Sequence, residues 1–452
     1  MKLRINLKTL SEITGGEIIK GDGATRFDSF ETDTRKMKKG SFFWAFEGKH
    51  FDAHDFLTPE ISEISKGWII EKNSMKKLPV MPQNVLAVND TVKSLHKLAA
   101  WHRSKFNIPL IAVTGSNGKT TTKEMIFSIL SQKGDAYASK ENFNNHYGLP
   151  LSILELNSSH KYAVFEMGAS KKGDIKELGE IAKPTHAVIT NISAAHLEFF
   201  KSLEVTFQTK IEIIDCLQEN GVFAYNSDDD YLKSLSRWKG KKIRFGRKDA
   251  DVEIAGENPL EIRFRKKERI RVSLNFVGKH NFENAAAAAA ITFAASFSSA
   301  EIKRGLEQAK GLAGRMEKIQ VGEMTVIFDA YNANPASMQA AFQYLENSGL
   351  PRPFYLVLGD MKELGAYSYL HHKNLGEKIC VINPEYVYLA GSEIKPAYET
   401  LLTRRSVKNI NYSEKGDWMD EVKRIIKTSK GTMLIKASRS MNFEKILEGL
   451  VK

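Results

Sequence analysis

Short apolar runs recur along the middle and last parts of this chain, and most end on a polar or charged residue. Pro109–Val113, Tyr162–Met167, Ala187–Thr190 and Val222–Tyr225 are such runs in the middle. Thr325–Phe328, Phe354–Leu358, Tyr386–Ala390, Ile410–Tyr412 and Met433–Ile435 follow later. Continuous apolar runs predict strands buried on both faces. Between them apolar residues return at helical spacing, as at Met125, Ile126, Ile129 and Leu130, and Ala285–Ala290 is an alanine-rich helix. Alternating strands and helices predict parallel sheets covered on both sides. Ahead of them, short strands and turns close with a helix over Thr91–Lys105, whose Val92, Leu95, Leu98 and Ala99 share a face. The chain, 452 residues long, exceeds what one core holds. The patterns divide it at 1–106, 107–313 and 314–452. The fold class is α/β.

Lys and Arg total 66 against 54 for Asp and Glu, a formal charge of +12 that suits anionic partners such as nucleotides or phosphorylated metabolites. The basic residues are scattered, and no basic stripe interleaved with aromatics appears, so nucleic acid is not the expected partner. Cys216 and Cys380 are the only cysteines and sit in no paired motif, which argues against disulfides or a zinc site; both read as buried thiols. Met1–Leu10 lacks the apolar stretch of a signal peptide. No apolar run approaches the roughly 18 residues of a membrane span. The expected location is the reducing cytoplasm.

The strongest local signal is T-G-S-N-G-K-T-T, Thr114 to Thr121, between a predicted strand and a predicted helix. Small residues let backbone N–H groups surround phosphate oxygens, and a helix N-terminus adds positive potential. Lys119 is placed to reach terminal phosphates and the Thr120 hydroxyl to hold Mg²⁺. The spacing G-x-x-G-K-T is two residues shorter than the usual phosphate loop. A plain glycine turn with a surface lysine is the alternative. GTPases, kinases, motors and ligases all use such loops, so the rest must come from other residues.

Ligands of open parallel sheets gather beyond the carboxyl ends of strands. Glu166 closes Y-A-V-F-E-M, and Asn191 and His196 follow H-A-V-I-T. A carboxylate and an imidazole beside phosphates could bind a second Mg²⁺, although Mg²⁺ prefers oxygen. From local pattern His196 also reads as an ordinary surface or core residue, and Lys210, in Q-T-K-I-E-I-I, as a solvated lysine. In the last block Asp329, Asp360 and Lys436 each end an apolar run, and Y-N-A-N-P from Tyr331 adds a polar loop. Three charged tips together predict the rim of a cleft.

Taken in order, these motifs resemble the Mur ligase family. The likeness rests on T-G-S-N-G-K-T-T, E-N-F-N-N-H-Y-G-L-P from Glu141, F-E-M-G-A-S from Phe165, N-I-S-A-A-H-L-E from Asn191 and G-K-H-N-F-E-N-A from Gly278. D-A-Y-N-A-N-P from Asp329 and L-G-D-M-K-E-L-G from Leu358 point to the branch that adds D-alanyl-D-alanine, rather than to branches that add a third amino acid or glutamates to folate. The resemblance implies three domains: an N-terminal mixed α/β domain for the UDP end of the substrate, a central phosphate-loop ATPase with a mainly parallel sheet, and a C-terminal Rossmann-like domain. It implies UDP-MurNAc-tripeptide and D-alanyl-D-alanine as substrates, ATP and two Mg²⁺ ions as cofactors, and a monomer that works in peptidoglycan precursor synthesis.

By position, the resemblance assigns Gly115, Ser116, Asn117, Gly118, Lys119, Thr120 and Thr121 to the nucleotide. Thr120 would bind the first Mg²⁺, and Glu166 and His196 the second. Lys210 matches a lysine that is carbamylated in such ligases, a change that turns a cation into a metal-binding anion. Lys119, Lys210 and His196 are the implied catalytic residues. His280, Asn281 and Asn284 match the adenine-side motif, and Arg315 and Asp329 would reach ATP from the last domain. Asp33, Thr34 and Arg35 would hold the UDP end; Asn142, Asn145, Tyr331, Asn332 and Asn334 would line the peptide cleft. The chain departs from the family at Ala53 and Ala437, where Gly is usual, and at Phe328 and Ala330, where Asp and Ser are usual. M-N-F-E from Met441 replaces the usual M-G-M-E.

Overall fold

The computed structural model describes residues 3, 5–48, 51–140, 142–193, 197–200, 202–265 and 267–450. Three large sheets organise them, one for each part of the chain. In the first, Glu17–Lys20, Val85–Val88, Gly67–Glu71, Phe42–Trp44 and Phe30–Glu31 lie side by side, parallel except where Glu17–Lys20 meets Val85–Val88. The helix Thr91–Arg103 follows, two residues shorter than the periodicity predicts, and Asp90 caps it by accepting the Lys93 N–H.

The middle sheet has nine strands. Ala136–Ala138, Tyr162–Glu166, Leu110–Thr114, His186–Ile189, Val222–Asn226 and Lys241–Gly246 pair in parallel in that spatial order. Val252–Glu257 joins in parallel, and Leu260–Phe264 and Glu268–Val272 then continue antiparallel. The helices Lys119–Leu130 and His280–Ala294 cover one face. Ala285–Ala290 of the second are fully buried, and small side chains are what close helix packing needs.

The last sheet orders Glu317–Val321, Met324–Phe328, Gly431–Lys436, Phe354–Gly359, Tyr386–Ala390 and Asn409–Ser413. All neighbours are parallel except the first pair. Helices pack on both faces, producing two apolar cores. Glu166, Asp329 and Lys436 all stand at carboxyl ends of parallel strands, where a doubly wound sheet opens its crevice. Both cysteines are partly exposed rather than buried: Cys216 ends the helix Leu203–Asp215 as its C-cap, and Cys380 lies on the helix Ser368–Ile382. Among the described residues no helix is long and apolar enough to cross a membrane.

Candidate active site

The phosphate loop leaves the strand Leu110–Thr114 at the centre of the middle sheet and enters the helix Lys119–Leu130. Two glycines set its path. Gly115 has φ 145° and Gly118 φ 78°, and a Cβ on either would lie about 2 Å from the side chains of Thr190 and Asn284, respectively. A second loop braces the first. The Asn191 carbonyl accepts the Ser116 N–H at 2.9 Å, its side chain accepts the Asn117 N–H at 3.2 Å, and Ser193 Oγ accepts Asn117 Nδ2 at 2.7 Å. Among the described residues no side chain caps the following helix, so its first amides stay available to a ligand. Lys119 folds back and donates to the Gly115 and Ser116 carbonyls at 3.1 and 3.2 Å. Burial lowers its pKa, while the nearby Glu166 carboxylate opposes the shift.

Glu166 is 2% exposed. Its Oε1 accepts Asn144 Nδ2 at 2.8 Å, whereas Oε2 is buried with no hydrogen-bond partner among the described residues. An ionised carboxylate oxygen left in that state is a natural cation ligand. Lys210, on the helix Leu203–Asp215, is equally buried, and its amine lies 5.8 Å from the Phe200 ring centroid. Burial and the neighbouring Lys119 charge hold its pKa well below that of an ordinary lysine, with Glu166 opposing. His196 lies outside the described residues.

The last domain closes the other side. Arg315 Nη2 donates to Thr120 Oγ1 at 2.9 Å, and Asn334 Nδ2 donates to Asn117 Oδ1 at 2.7 Å, so two hydrogen bonds bridge directly to the phosphate loop. The Arg315 guanidinium stacks 4.0 Å from the Tyr331 ring centroid, and its buried Nε has no partner among the described residues. Asp329 is held by Lys436 Nζ at 2.5 Å and by the Met316 N–H at 3.1 Å; Lys436 also donates to the Asn332 carbonyl at 3.0 Å. Together these residues bound a cavity of about 1020 Å³.

Most of the residues singled out from sequence meet there. Ser116 to Thr121, Asn142 and Glu166 line the cavity from the middle domain, with His280, Asn281 and Asn284 alongside. Arg315, Asp329, Tyr331, Asn332 and Asn334 line it from the last. Gly115 lies beneath the loop against Thr190. Asn284 also braces the loop, accepting from Thr122 Oγ1 at 3.3 Å. Asn145 is absent from the lining; its Oδ1 accepts the Tyr147 and Gly148 N–H groups and starts a helix. Asp33, Thr34 and Arg35 are not among the lining residues either. Arg35 is strongly exposed, and its bidentate pair with Asp33 pulls that carboxyl down to about 2.

The Mur ligase middle domain model matches residues 113–292, and the model of the Mur ligase glutamate ligase domain matches residues 314–438. A UDP-N-acetylmuramoyl-tripeptide–D-alanyl-D-alanine ligase from Buchnera aphidicola is 37% identical over 100% of this chain and 99% of its own. The crystal structure of MurF from Acinetobacter baumannii superposes with TM-score 0.87 at 31% identity, covering 99% of both chains. MurF from Thermotoga maritima, solved in complex with ADP, gives TM-score 0.81 at 30% identity over 93% of this chain and 96% of its own.

The chain belongs to the Mur ligase family, MurF type. Mur ligases are ATP-dependent, and the phosphate loop supplies the matching site in this one. Asp360 does not belong to the rim of this ligase, contrary to what its place at a strand tip suggests. It is 1% exposed, accepts the Ile394 N–H at 2.8 Å and pairs with Lys362 at 2.8 Å, so Lys362 faces the cavity in its stead. The departures at Ala53, Phe328, Ala330 and Ala437 cause no backbone strain, since none has positive φ and all four are buried. Sequence reasoning missed Asn144, which orients Glu166, and Arg439, which stands over Tyr331 at 5.6 Å. The run of asparagines in E-N-F-N-N-H was the available signal for Asn144.

Proposed function

We propose that this Mur ligase joins D-alanyl-D-alanine to the terminal carboxylate of UDP-MurNAc-tripeptide, yielding UDP-MurNAc-pentapeptide, ADP and phosphate for peptidoglycan synthesis. One observation carries the chemistry: the phosphate loop and the Arg315–Asn334 face of the last domain meet across a single cavity, bridged at Thr120 and Asn117. A terminal phosphate on the loop would thereby be brought against an acid group at the junction. The names of the relatives supply the identity of that acid and of the amine.

A carboxylate is a poor electrophile. Transfer of the γ-phosphoryl group from ATP makes an acyl phosphate, and the D-alanyl-D-alanine amine then attacks its carbonyl carbon. A tetrahedral intermediate collapses as phosphate leaves, and the amine proton is lost. Lys119, the amides at the start of its helix and Arg315 offset negative charge as two anions approach. Arg315 would have to turn from Thr120 toward the phosphates, and its unsatisfied Nε gives it a further donor for them. Thr120, Glu166, His196 and carbamylated Lys210 would hold two Mg²⁺ ions, which when bound supply charge neutralisation. The unpaired Glu166 oxygen fits that role.

The depressed pKa of Lys210 favours its neutral amine, whose lone pair can attack CO₂; loss of a proton leaves an anionic carbamate. Closure between the domains 107–313 and 314–452 would exclude water, which otherwise hydrolyses the acyl phosphate. Domain 1–106 would hold the UDP end near Asp33–Arg35. The enzyme would act as a cytoplasmic monomer. Mass analysis of the product formed from ATP, UDP-MurNAc-tripeptide and D-alanyl-D-alanine tests the reading, together with ADP release that requires both acceptor and donor. Phosphate release unchanged by omitting D-alanyl-D-alanine would count against it.

A further inference from the structure

Three segments converge on a cluster of imidazoles and carboxylates outside the cavity lining. His96 belongs to the helix Thr91–Arg103, His146 to the loop before the helix Gly148–Ile153, and Asp174 and Glu177 to the helix Asp174–Ala182. Glu177 spans both rings. Its Oε1 is 3.2 Å from His96 Nδ1, and its Oε2 is 3.3 Å from His146 Nδ1. The other ring nitrogens have separate partners: His96 Nε2 lies 2.7 Å from the His146 carbonyl, and His146 Nε2 lies 3.0 Å from Asp174 Oδ1.

Tautomers decide what this cluster can hold. A carbonyl oxygen only accepts, so His96 Nε2 carries a proton. The Asp174 carboxylate accepts the Ser170 and Lys171 amides through Oδ2 at 2.8 and 3.0 Å, and His146 Nε2 donates to its Oδ1. Both Nδ1 atoms then turn toward the same carboxylate. In these tautomers two lone pairs face an anion.

A cation between the Nδ1 atoms and Glu177 removes the conflict. Metal-bound histidines usually donate the other ring N–H to a carboxylate or a backbone carbonyl, and both rings do so here. Tetrahedral zinc with bonds of about 2.1 Å takes ligand atoms about 3.4 Å apart, and each Nδ1 already stands 3.2 or 3.3 Å from a separate oxygen of the one carboxylate. One ligand atom from each of the three residues lies within 4.8 Å of the others. Two imidazoles with one carboxylate suit zinc and its neighbours, not Mg²⁺.

We propose that His96, His146 and Glu177 form a binding site for a zinc-class divalent cation, distinct from the Mg²⁺ sites of the active centre. The ion ties the helix at the end of the first domain to two segments of the middle domain. One of these carries Asn142, which lines the cavity, and Asn144, which orients Glu166.

The test titrates Zn²⁺ into the chelator-treated full-length chain by calorimetry, with excess Mg²⁺ present to fill the active centre. Thermal melts with and without Zn²⁺ accompany it. The wild type is expected to bind one Zn²⁺ more than His96→Gln or Glu177→Gln, and Zn²⁺ should raise the Tm of the wild type alone. Circular dichroism in chelator checks that the variants fold; should His96→Gln not fold, the milder Glu177→Gln decides. Equal stoichiometry in the wild type and a folded variant, or no Zn²⁺ bound beyond the Mg²⁺ sites, overturns the proposal.

Discussion

The two faces of the cavity treat charge in opposite ways. On the last-domain face the lining ammonium groups are already matched: Lys436 with Asp329, and Lys362 with Asp360 and Glu393, which stand behind the lining. On the middle-domain face Glu283 pairs with Arg247, but the charged groups around the phosphate loop are not matched. Among the described residues Lys119 donates only to backbone carbonyls of its own loop and one oxygen of Glu166 lacks a partner; behind the lining, burial and Lys119 hold the Lys210 pKa far below that of an ordinary lysine. Leaving charge unmatched in a buried place is costly, so it persists where a ligand completes it. The middle domain is therefore built to receive charged groups. The last domain pairs its lining ammonium groups internally and reaches the phosphate loop through Arg315 and Asn334.

Breaking the unmatched face should have the largest effects. Lys119→Ala is expected to lower turnover by about 10³-fold or more, measured as ADP release, because it removes a donor from phosphates that carry the developing charge. Retention of near-normal rates would remove the loop from the chemistry. Glu166→Gln keeps the size and the Asn144 contact but removes the charge. It should reduce turnover by roughly 10²-fold and raise the Mg²⁺ concentration needed for half-maximal rate. An unchanged Mg²⁺ dependence would mean that the unpaired oxygen serves something else. Lys210→Ala should cost about 10²-fold by the same reasoning, with partial recovery on adding a short carboxylic acid. Indifference to the acid would argue against a carbamate.

The parts of the site that were legible in the sequence share a physical cause. Parallel strands buried on both faces must be apolar throughout, so Thr114, Glu166, Asp329 and Lys436 stand out at their ends as polar punctuation. The strands Val252–Glu257, Leu260–Phe264 and Glu268–Val272 were not legible. One face is solvated and laced with pairs such as Arg263–Glu253 and Arg269–Glu261, so the segment reads as polar chain rather than sheet. Contacts such as Arg315 to Thr120 and Asn334 to Asn117 join residues about two hundred positions apart, and no local spacing encodes them. Asp360 misled for a related reason: a strand tip marks where a crevice opens, but not whether Lys362 and the Ile394 amide already claim the carboxylate.

The smallest effect tests the matched face. Glu393 and Lys362 are each about one-third exposed, and their ion pair spans 3.0 Å. Burial alone would raise the Glu393 pKa, but hydrogen bonds from Ser368 and Lys362 outweigh it, and the net shift is downward from the ordinary 4.5. A carboxylate with a lowered folded-state pKa contributes stability that is fully present above the unfolded value and is lost as pH falls through the folded one. Glu393→Gln should therefore cost no more than about 1 kcal/mol at neutral pH, discounted for solvent screening. Its stability should converge on the wild type as the buffer is taken below about 4.5. Chemical denaturation of both proteins across that range measures the difference, and turnover at neutral pH should be unchanged, because Glu393 does not line the cavity. A large loss of turnover would mean that Lys362 depends on Glu393 to face the substrates, and the last-domain face would then be as unfinished as the middle one.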